Sequence, residues 1–217
     1  MQVKLVSMTE ALIWAKEKQL NAEELIVYTA RVSNPGNQMN TDTSDKLISY
    51  LIKNLHWSPF EMVDMTVEIV TSRAIAQQIL RHRSFVFQEF SQRYAKVTDF
   101  EPIQLRYQAE KNRQSSTQEL SSEDAIKFNT LIDNLFEVSQ MVYFEMINHG
   151  VAKECARFVL PLTTQTTMYM KGSIRSWIHY LQSRTNPHTQ KEHQEVAMEI
   201  LKIFKTNFPN ISTALEL

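Results

Sequence analysis

The densest chemistry in the chain lies at residues 81–94, RHRSFVFQEFSQRY. Arg81, His82 and Arg83 are contiguous, Arg73 stands one helix length earlier, and Arg93 follows beyond a short loop. A guanidinium keeps its charge and presents a planar fork of donors, so clustered arginines can grip a small anion such as phosphate. The same residues at a helix end can instead satisfy free carbonyls and the helix dipole. Glu89, inside the cluster, adds a carboxylate that can accept from a base or from ribose hydroxyls.

If a nucleotide binds, side chains must hold its phosphates. Glycine occurs only at Gly36, Gly150 and Gly172, too sparsely for a phosphate-cradling loop or a dinucleotide fingerprint. A metal is not expected. The chain has no HExxH and no cysteine pair, and His188 and His193 are five apart, off a common helical face. His82, His149 and His179 add no ligand spacing. Cys155, the lone thiol, reads as a packing residue, and Met141, Met146, Met168, Met170 and Met198 read as core filling.

Those residues need a scaffold. Residues 9–19 and 23–32 read as short helices. Residues 43–55 carry Leu47, Ile48, Leu51, Ile52 and Leu55 at the spacing of an apolar helix stripe. After the turn HWSPF, Val63, Met65, Val67 and Ile69 alternate with polar residues, the pattern of a half-buried strand. Ser72 can cap a helix running to Arg83. Residues 84–107 suggest a loop with one or two strands, and polar 109–122 a mobile surface loop. A long amphipathic helix is expected from 122 to 148, stopped at Gly150. Two or three more helices, broken at Pro161 and Pro187, complete the chain. Strands segregated from helices argue for α+β: a small, mainly antiparallel sheet packed against a long helix, with helical segments at both termini.

Bulk properties exclude other classes. With 23 basic and 24 acidic residues, no global field draws the chain to nucleic acid or a membrane surface. No apolar run is long enough to span a bilayer, and MQVKLVSMTE lacks a signal-peptide core. The expectation is a single cytoplasmic domain over residues 1–217.

Arg81-His82-Arg83, then seven residues, then Ser91-Gln92-Arg93 resembles the signature of the flavin-dependent thymidylate synthases, the thymidylate synthase complementing protein family. His56-Trp57-Ser58-Pro59-Phe60-Glu61 is similar to that family's His-x-Ser/Thr-Pro-Phe-Glu turn. Ala30-Arg31-Val32-Ser33, Ala156-Arg157 with Leu160-Pro161, and Ser173-Ile174-Arg175 with His179, Arg184, His188 and Gln190 follow in the family's order. The likeness runs from about residue 28 to residue 205. Departures at Val86, Gln88, Ser173 and Ser183 bear on how tightly a flavin is held.

The resemblance implies a methyltransferase that converts dUMP to dTMP. It implies non-covalent FAD, NADPH as reductant and methylenetetrahydrofolate as one-carbon donor. By carry-over, His56, Ser58, Arg81, His82, Arg83, Glu89, Ser173, Ile174, Arg175, His179 and His188 belong to the flavin or folate side. Gln78, Arg81, Glu89, Ser91, Arg93, Arg157 and Arg184 belong to the dUMP site. Arg184 is the implied catalytic residue, opposing the negative charge that develops on the uracil ring. A homotetramer with active sites shared between subunits is implied as well. The competing reading is a catalytically inactive homologue that binds nucleotides or RNA through Arg81, Arg83, Arg93 and the interleaved aromatics.

Overall fold

The structure, a computed structural model, describes residues 1–15, 17–96 and 99–217. It opens with strand β1 (Gln2–Met8), a two-residue-per-strand hairpin of β2 (Trp14–Ala15) and β3 (Lys18–Gln19), and helices α1 (Ala22–Ala30) and α2 (Ser44–Lys53). Strand β4 (Asp64–Ser72), helix α3 (Arg73–Ile79) and strand β5 (Val86–Glu89) follow, then a hairpin of β6 (Arg106–Gln108) and β7 (Ser116–Glu119). The rest comprises α4 (Ser122–Asn148), α5 (Lys153–Ala156), β8 (Gln165–Ser173), α6 (Ile174–Arg184), α7 (Lys191–Asn207) and α8 (Pro209–Ala214). The fold is α+β.

The central sheet is antiparallel with order β1-β4-β8-β5. On β4 the inward set Met65, Val67 and Ile69 is fully buried, and Asp64, Thr66 and Glu68 point the other way. On β8 the inward set is Thr166, Met168 and Met170. Ile26, Ile48, Trp177, Ile200, Phe204 and Ile211, drawn from α1, α2, α6, α7 and α8, close the core over that face. Each such side chain contributes roughly 1.5–3 kcal/mol when fully buried. Trp177 stays satisfied there because its indole N–H donates to the Met65 carbonyl at 2.9 Å.

Local chemistry sets the ends of these elements. Asn21 and Glu24 form a reciprocal capping box at the start of α1, each bond 2.8 Å. α2 ends with the His56 N–H on the Leu51 carbonyl and the Leu55 N–H on the Ile52 carbonyl. Leu55 thereby takes φ 57°, the left-handed position where glycine is usual, and delivers the chain into the His56–Glu61 turn. Gly150, at φ 81°, stops α4 where expected. Gly172 is required by packing: a Cβ there would stand 2.5 Å from the Phe85 ring.

Several expectations need correction. Within 9–19 the described residues form no helix; Trp14–Ala15 pairs with Lys18–Gln19 instead, residue 16 lies outside the described residues, and residues 2–8 form an edge strand. The helix from Ser72 ends at Ile79, so Arg81–Arg83 lie in the turn beyond it. The polar stretch 109–122 contributes β7 to an ordered hairpin, because Ser116–Glu119 pairs with β6. Residues 165–173, expected among the last helices, are the central strand β8. Cys155 is exposed rather than packed, and Met141 and Met198 lie outside the core.

Candidate functional site

β4 and β8 each lead directly into a helix capped by the strand's last serine. The Ser72 hydroxyl accepts from the Ile75 N–H at the start of α3, and the Ser173 hydroxyl accepts from the Ser176 N–H at the start of α6, both at 3.4 Å. α3 then releases the chain into the turn 80–85, which runs alongside α6. Two contacts hold it there. Ser176 donates to the Ser84 carbonyl at 3.2 Å, and Phe85 packs edge-on against Trp177 with ring centroids 4.7 Å apart.

A cleft of about 590 Å³ opens where the turn meets the end of α6 and the start of α7. Gln78, Arg81, His82, Gln114, Arg184, His188, Thr189, Gln190 and His193 line it. Gln114 and residues 188–190 continue into a polar groove of about 380 Å³ beneath the β6–β7 hairpin.

Arg184 and His82 form the centre of this cleft. Arg184 Nε donates to His82 Nε2 at 3.0 Å, so His82 carries its proton on Nδ1 and is neutral. Burial and then the adjacent Arg184 charge hold His82 down from 6.5 to about 4. Among the described residues no other group accepts from Arg184, which leaves its terminal nitrogens available to a ligand. His193 is fully buried. Burial first, then Arg184 and His82, hold it down to about 4 as well. Its ring bridges Tyr180, whose hydroxyl lies 3.2 Å from Nε2, and Gln78, whose Oε1 lies 3.3 Å from Nδ1. Burial raises Tyr180 above its ordinary range, so its hydroxyl stays protonated.

The remaining candidates fall into two further groups. Along α6, Arg175 pairs with Glu61 at 2.7 Å and His179 stands against Trp57, centroids 5.0 Å apart. These contacts bring exposed Ser58 and its turn to Ser173, Arg175 and His179. Burial, then Arg175, lowers the His179 pKa. Ile174 is buried and contributes only its backbone, whose N–H donates to the Val63 carbonyl at 2.9 Å. His56 faces a separate pocket of about 570 Å³ that also holds Arg31, Ser33 and Tyr50.

Glu89, Ser91, Arg93 and Arg157 do not line the Arg184 cleft. β5 carries Glu89 away from the turn to accept from Thr166 at 2.9 Å and Arg73 at 3.4 Å. Lys153 donates to the Tyr94 carbonyl at 2.7 Å, which ties the Ser91–Tyr94 turn to α5, and Arg157 follows α5 directly. One chain therefore carries two arginine clusters. Their members differ from the arginines held in ion pairs. Arg73, Arg106 and Arg175 are paired with carboxylates. Arg81, Arg83, Arg93 and Arg157 have no carboxylate partner among the described residues.

In the sequence His193 stands out only as a metal candidate, and Tyr180 and Gln114 carry no signal. A histidine in the first turn of a helix five residues beyond His188 gave no signal of its own, since its partners come from α3 and α6. Among the described residues no group of three or more His, Cys, Asp or Glu is placed to hold a metal ion.

Residues 16–210 match the family model described as thymidylate synthase complementing protein. The chain is 50% identical over 216 residues to the flavin-dependent thymidylate synthase of Synechocystis sp., covering all of both chains. It is 49% identical over 217 residues to the probable flavin-dependent thymidylate synthase of Paramecium bursaria Chlorella virus 1, covering 99% of that protein. Among solved structures, the UMP/dUMP methylase PolB from Streptomyces cacaoi bound with 5-Br dUMP superposes with a TM-score of 0.83 at 27% identity. That match covers 99% of this chain and 94% of PolB.

Proposed function

The chain belongs to the thymidylate synthase complementing protein family, the flavin-dependent thymidylate synthases, and we propose that it methylates dUMP to dTMP with methylenetetrahydrofolate, NADPH and FAD, acting as one domain over residues 1–217. The observation that carries the reading is the Arg184–His82 pair. A neutral imidazole accepts one guanidinium N–H and leaves the other donors, with their full charge, facing a cleft beside an amide.

Each residue then has a physical task. Arg184 opposes the negative charge that grows on the uracil ring, a role suited to a cation that cannot be deprotonated. His82 fixes the direction of that guanidinium without adding a competing charge. Gln78 offers one acceptor and one donor to the edge of the base. Arg93 and Arg157, with Ser91, supply charge and donors for the nucleotide phosphate.

Arg81 and Arg83 fit a flavin nucleotide because they are exposed and lack carboxylate partners among the described residues, and Ser58, Ser173, Arg175 and His179 are assigned to the same cofactor. With three glycines in the chain, those side chains replace a glycine-rich loop. FAD, reduced by NADPH, would supply the hydride that turns the transferred carbon into a methyl group. His56 and His188 are assigned to the isoalloxazine or folate face, and Glu89 to the border of flavin and nucleotide.

The two arginine clusters support a homotetramer with shared sites, since residues assigned to a single dUMP lie in separate regions of one chain. Helix α4 supports the same assembly. Phe128, Leu131, Leu135, Val138 and Val142 recur at alternating three- and four-residue steps, and all are exposed. Such a seam is the kind that a second helix covers. Compact clusters of unpaired arginine, without an extended basic stripe, do not favour the inactive RNA-binding alternative. Among the described residues, no helix is long and apolar enough to cross a membrane.

The test is dTMP formation, followed by mass spectrometry, from dUMP, methylenetetrahydrofolate and NADPH with and without added FAD. Flavin-dependent product is expected. A folded protein that gives no product in either case would overturn the reading.

A further inference from the structure

We infer that a directional hydrogen-bond chain, Arg106–Glu192–Gln190–Gln78–His193–Tyr180, locks the orientation of the Gln78 amide and makes it the selector of uracil over cytosine. The inference rests on the dUMP reading of the cleft and adds to it the residues that decide which base is accepted.

A carboxamide is nearly symmetric in shape, and a half-turn exchanges its donor and acceptor ends. What breaks that symmetry here lies two residues away. Arg106 Nη2 binds Glu192 Oε1 at 2.6 Å. Although burial pushes Glu192 up, hydrogen bonds from Arg106 and Gln190 bring its pKa below the ordinary value, so it is an ionised, acceptor-only group. Gln190 must therefore turn its NH2 to Glu192 Oε2, at 2.9 Å. Its Oε1 is then left to accept from Gln78 Nε2, at 2.6 Å.

With its NH2 so committed, Gln78 turns Oε1 to His193, 3.3 Å away. That contact is a bond only if His193 carries its proton on Nδ1. Nε2 must then accept, and the Tyr180 hydroxyl at 3.2 Å donates to it. Every polarity in the chain follows from the ion pair at one end, and the tyrosine closes the other without conflict.

The consequence appears at the base edge. The locked amide keeps one lone pair on Oε1 and one hydrogen on Nε2 for a ligand, in a fixed order. Uracil presents an N3–H donor beside a carbonyl acceptor, and cytosine presents an N3 acceptor beside an amino donor. The two edges have opposite polarity, so an amide that cannot turn satisfies one and opposes the other. A site built to bond a particular polarity can reject the wrong one strongly, because the mismatch leaves unpaired the groups that the seated base shields from water.

The experiment is calorimetric titration of the FAD-loaded enzyme with dUMP and with dCMP. Glu192→Gln keeps the shape but can donate as well as accept, so Gln190 and Gln78 are free to turn. The expected result is at least a tenfold fall in the ratio of dUMP to dCMP affinity, with dCMP binding unchanged or tighter. Tyr180→Phe removes only the buried hydroxyl and frees the His193 tautomer. It should narrow the ratio in the same direction, by a smaller factor, in a protein that folds like the parent. An unchanged ratio in both variants, or an equal loss of both nucleotides, overturns the selector role. If the parent enzyme binds neither nucleotide, the dUMP reading itself fails and the inference with it.

Discussion

Replacing Arg184 with alanine tests the centre of the site. Among the described residues the guanidinium makes one bond, from Nε to His82 Nε2 at 3.0 Å, and its other donors face the cleft. Removing it should leave the core intact, since Ile178 and Leu181 carry the buried face of α6. Loss of a positioned donor for a developing anion costs about 10²–10³ in rate, or about 2.7–4 kcal/mol. A cation should cost at least as much as the neutral donors behind that range. dUMP affinity should fall less, by about 1 kcal/mol, because the ground-state uracil is neutral and a hydrogen bond is worth roughly that much net.

The variant also leaves His82 without its donor and its neighbouring charge. Its pKa, held near 4 by burial and then by Arg184, should move up toward 6.5. Single-turnover dTMP formation from pre-reduced enzyme isolates the affected step, calorimetry reports dUMP binding, and imidazole NMR follows His82. Turnover within tenfold of the parent would refute the role. Flavin reduction lost in parallel would show that the arginine serves the fold of the cleft rather than the uracil.

His82 and His193 are neutral in the folded protein with pKa values near 4, whereas the unfolded chain takes up protons near 6.5. The stability this contributes is present above about pH 6.5 and is lost as pH falls toward 4. For fully buried His193 it amounts to about 3 kcal/mol, and a Tm profile of His193→Phe should be flatter across that window. Gly172→Ala would drive a Cβ into the Phe85 ring. It should cost roughly 1–3 kcal/mol by chemical denaturation and loosen flavin binding with the turn that Phe85 anchors. Arg93→Ala should weaken dUMP by about 1.5–3 kcal/mol, and unchanged affinity by calorimetry would remove it from the phosphate site. Leu135→Glu on the exposed seam of α4 should reduce the oligomer to smaller species by light scattering; an unchanged mass would place the subunit contacts elsewhere.

Elements whose pattern is local were readable from the residues. α2 announced itself by five apolar residues at helical spacing, β4 by strict alternation, and α4 by length and Gly150. β8 was not, although Thr166, Met168 and Met170 alternate with Thr167, Tyr169 and Lys171. Methionine and threonine give a weak strand signal, and Met168 and Met170 do fill the core as read, but from a strand rather than a helix. At the edge, β1 exposes most of its side chains, and the β2–β3 and β6–β7 hairpins lack an apolar face. Within the site, the arginines stood out by type and spacing. His193 and Tyr180 did not, because their meaning comes from three helices meeting, which no single stretch of sequence displays.

The pairing of β4 with β8 joins residues roughly a hundred positions apart in the chain, from Asp64 with Ser173 to Ser72 with Gln165. Closing a loop that long carries an entropic cost before any contact repays it, and folds dominated by such pairings form slowly. The helices bearing Gln78 and Arg184 emerge from the ends of these two strands. During synthesis, then, the arginine turn leaves the ribosome long before its partners exist, and binding competence arrives only when the last third of the chain docks. A nascent or truncated chain ending before β8 would hold the entire RHR–Ser-x-Arg motif and still lack the Arg184 half of the cleft.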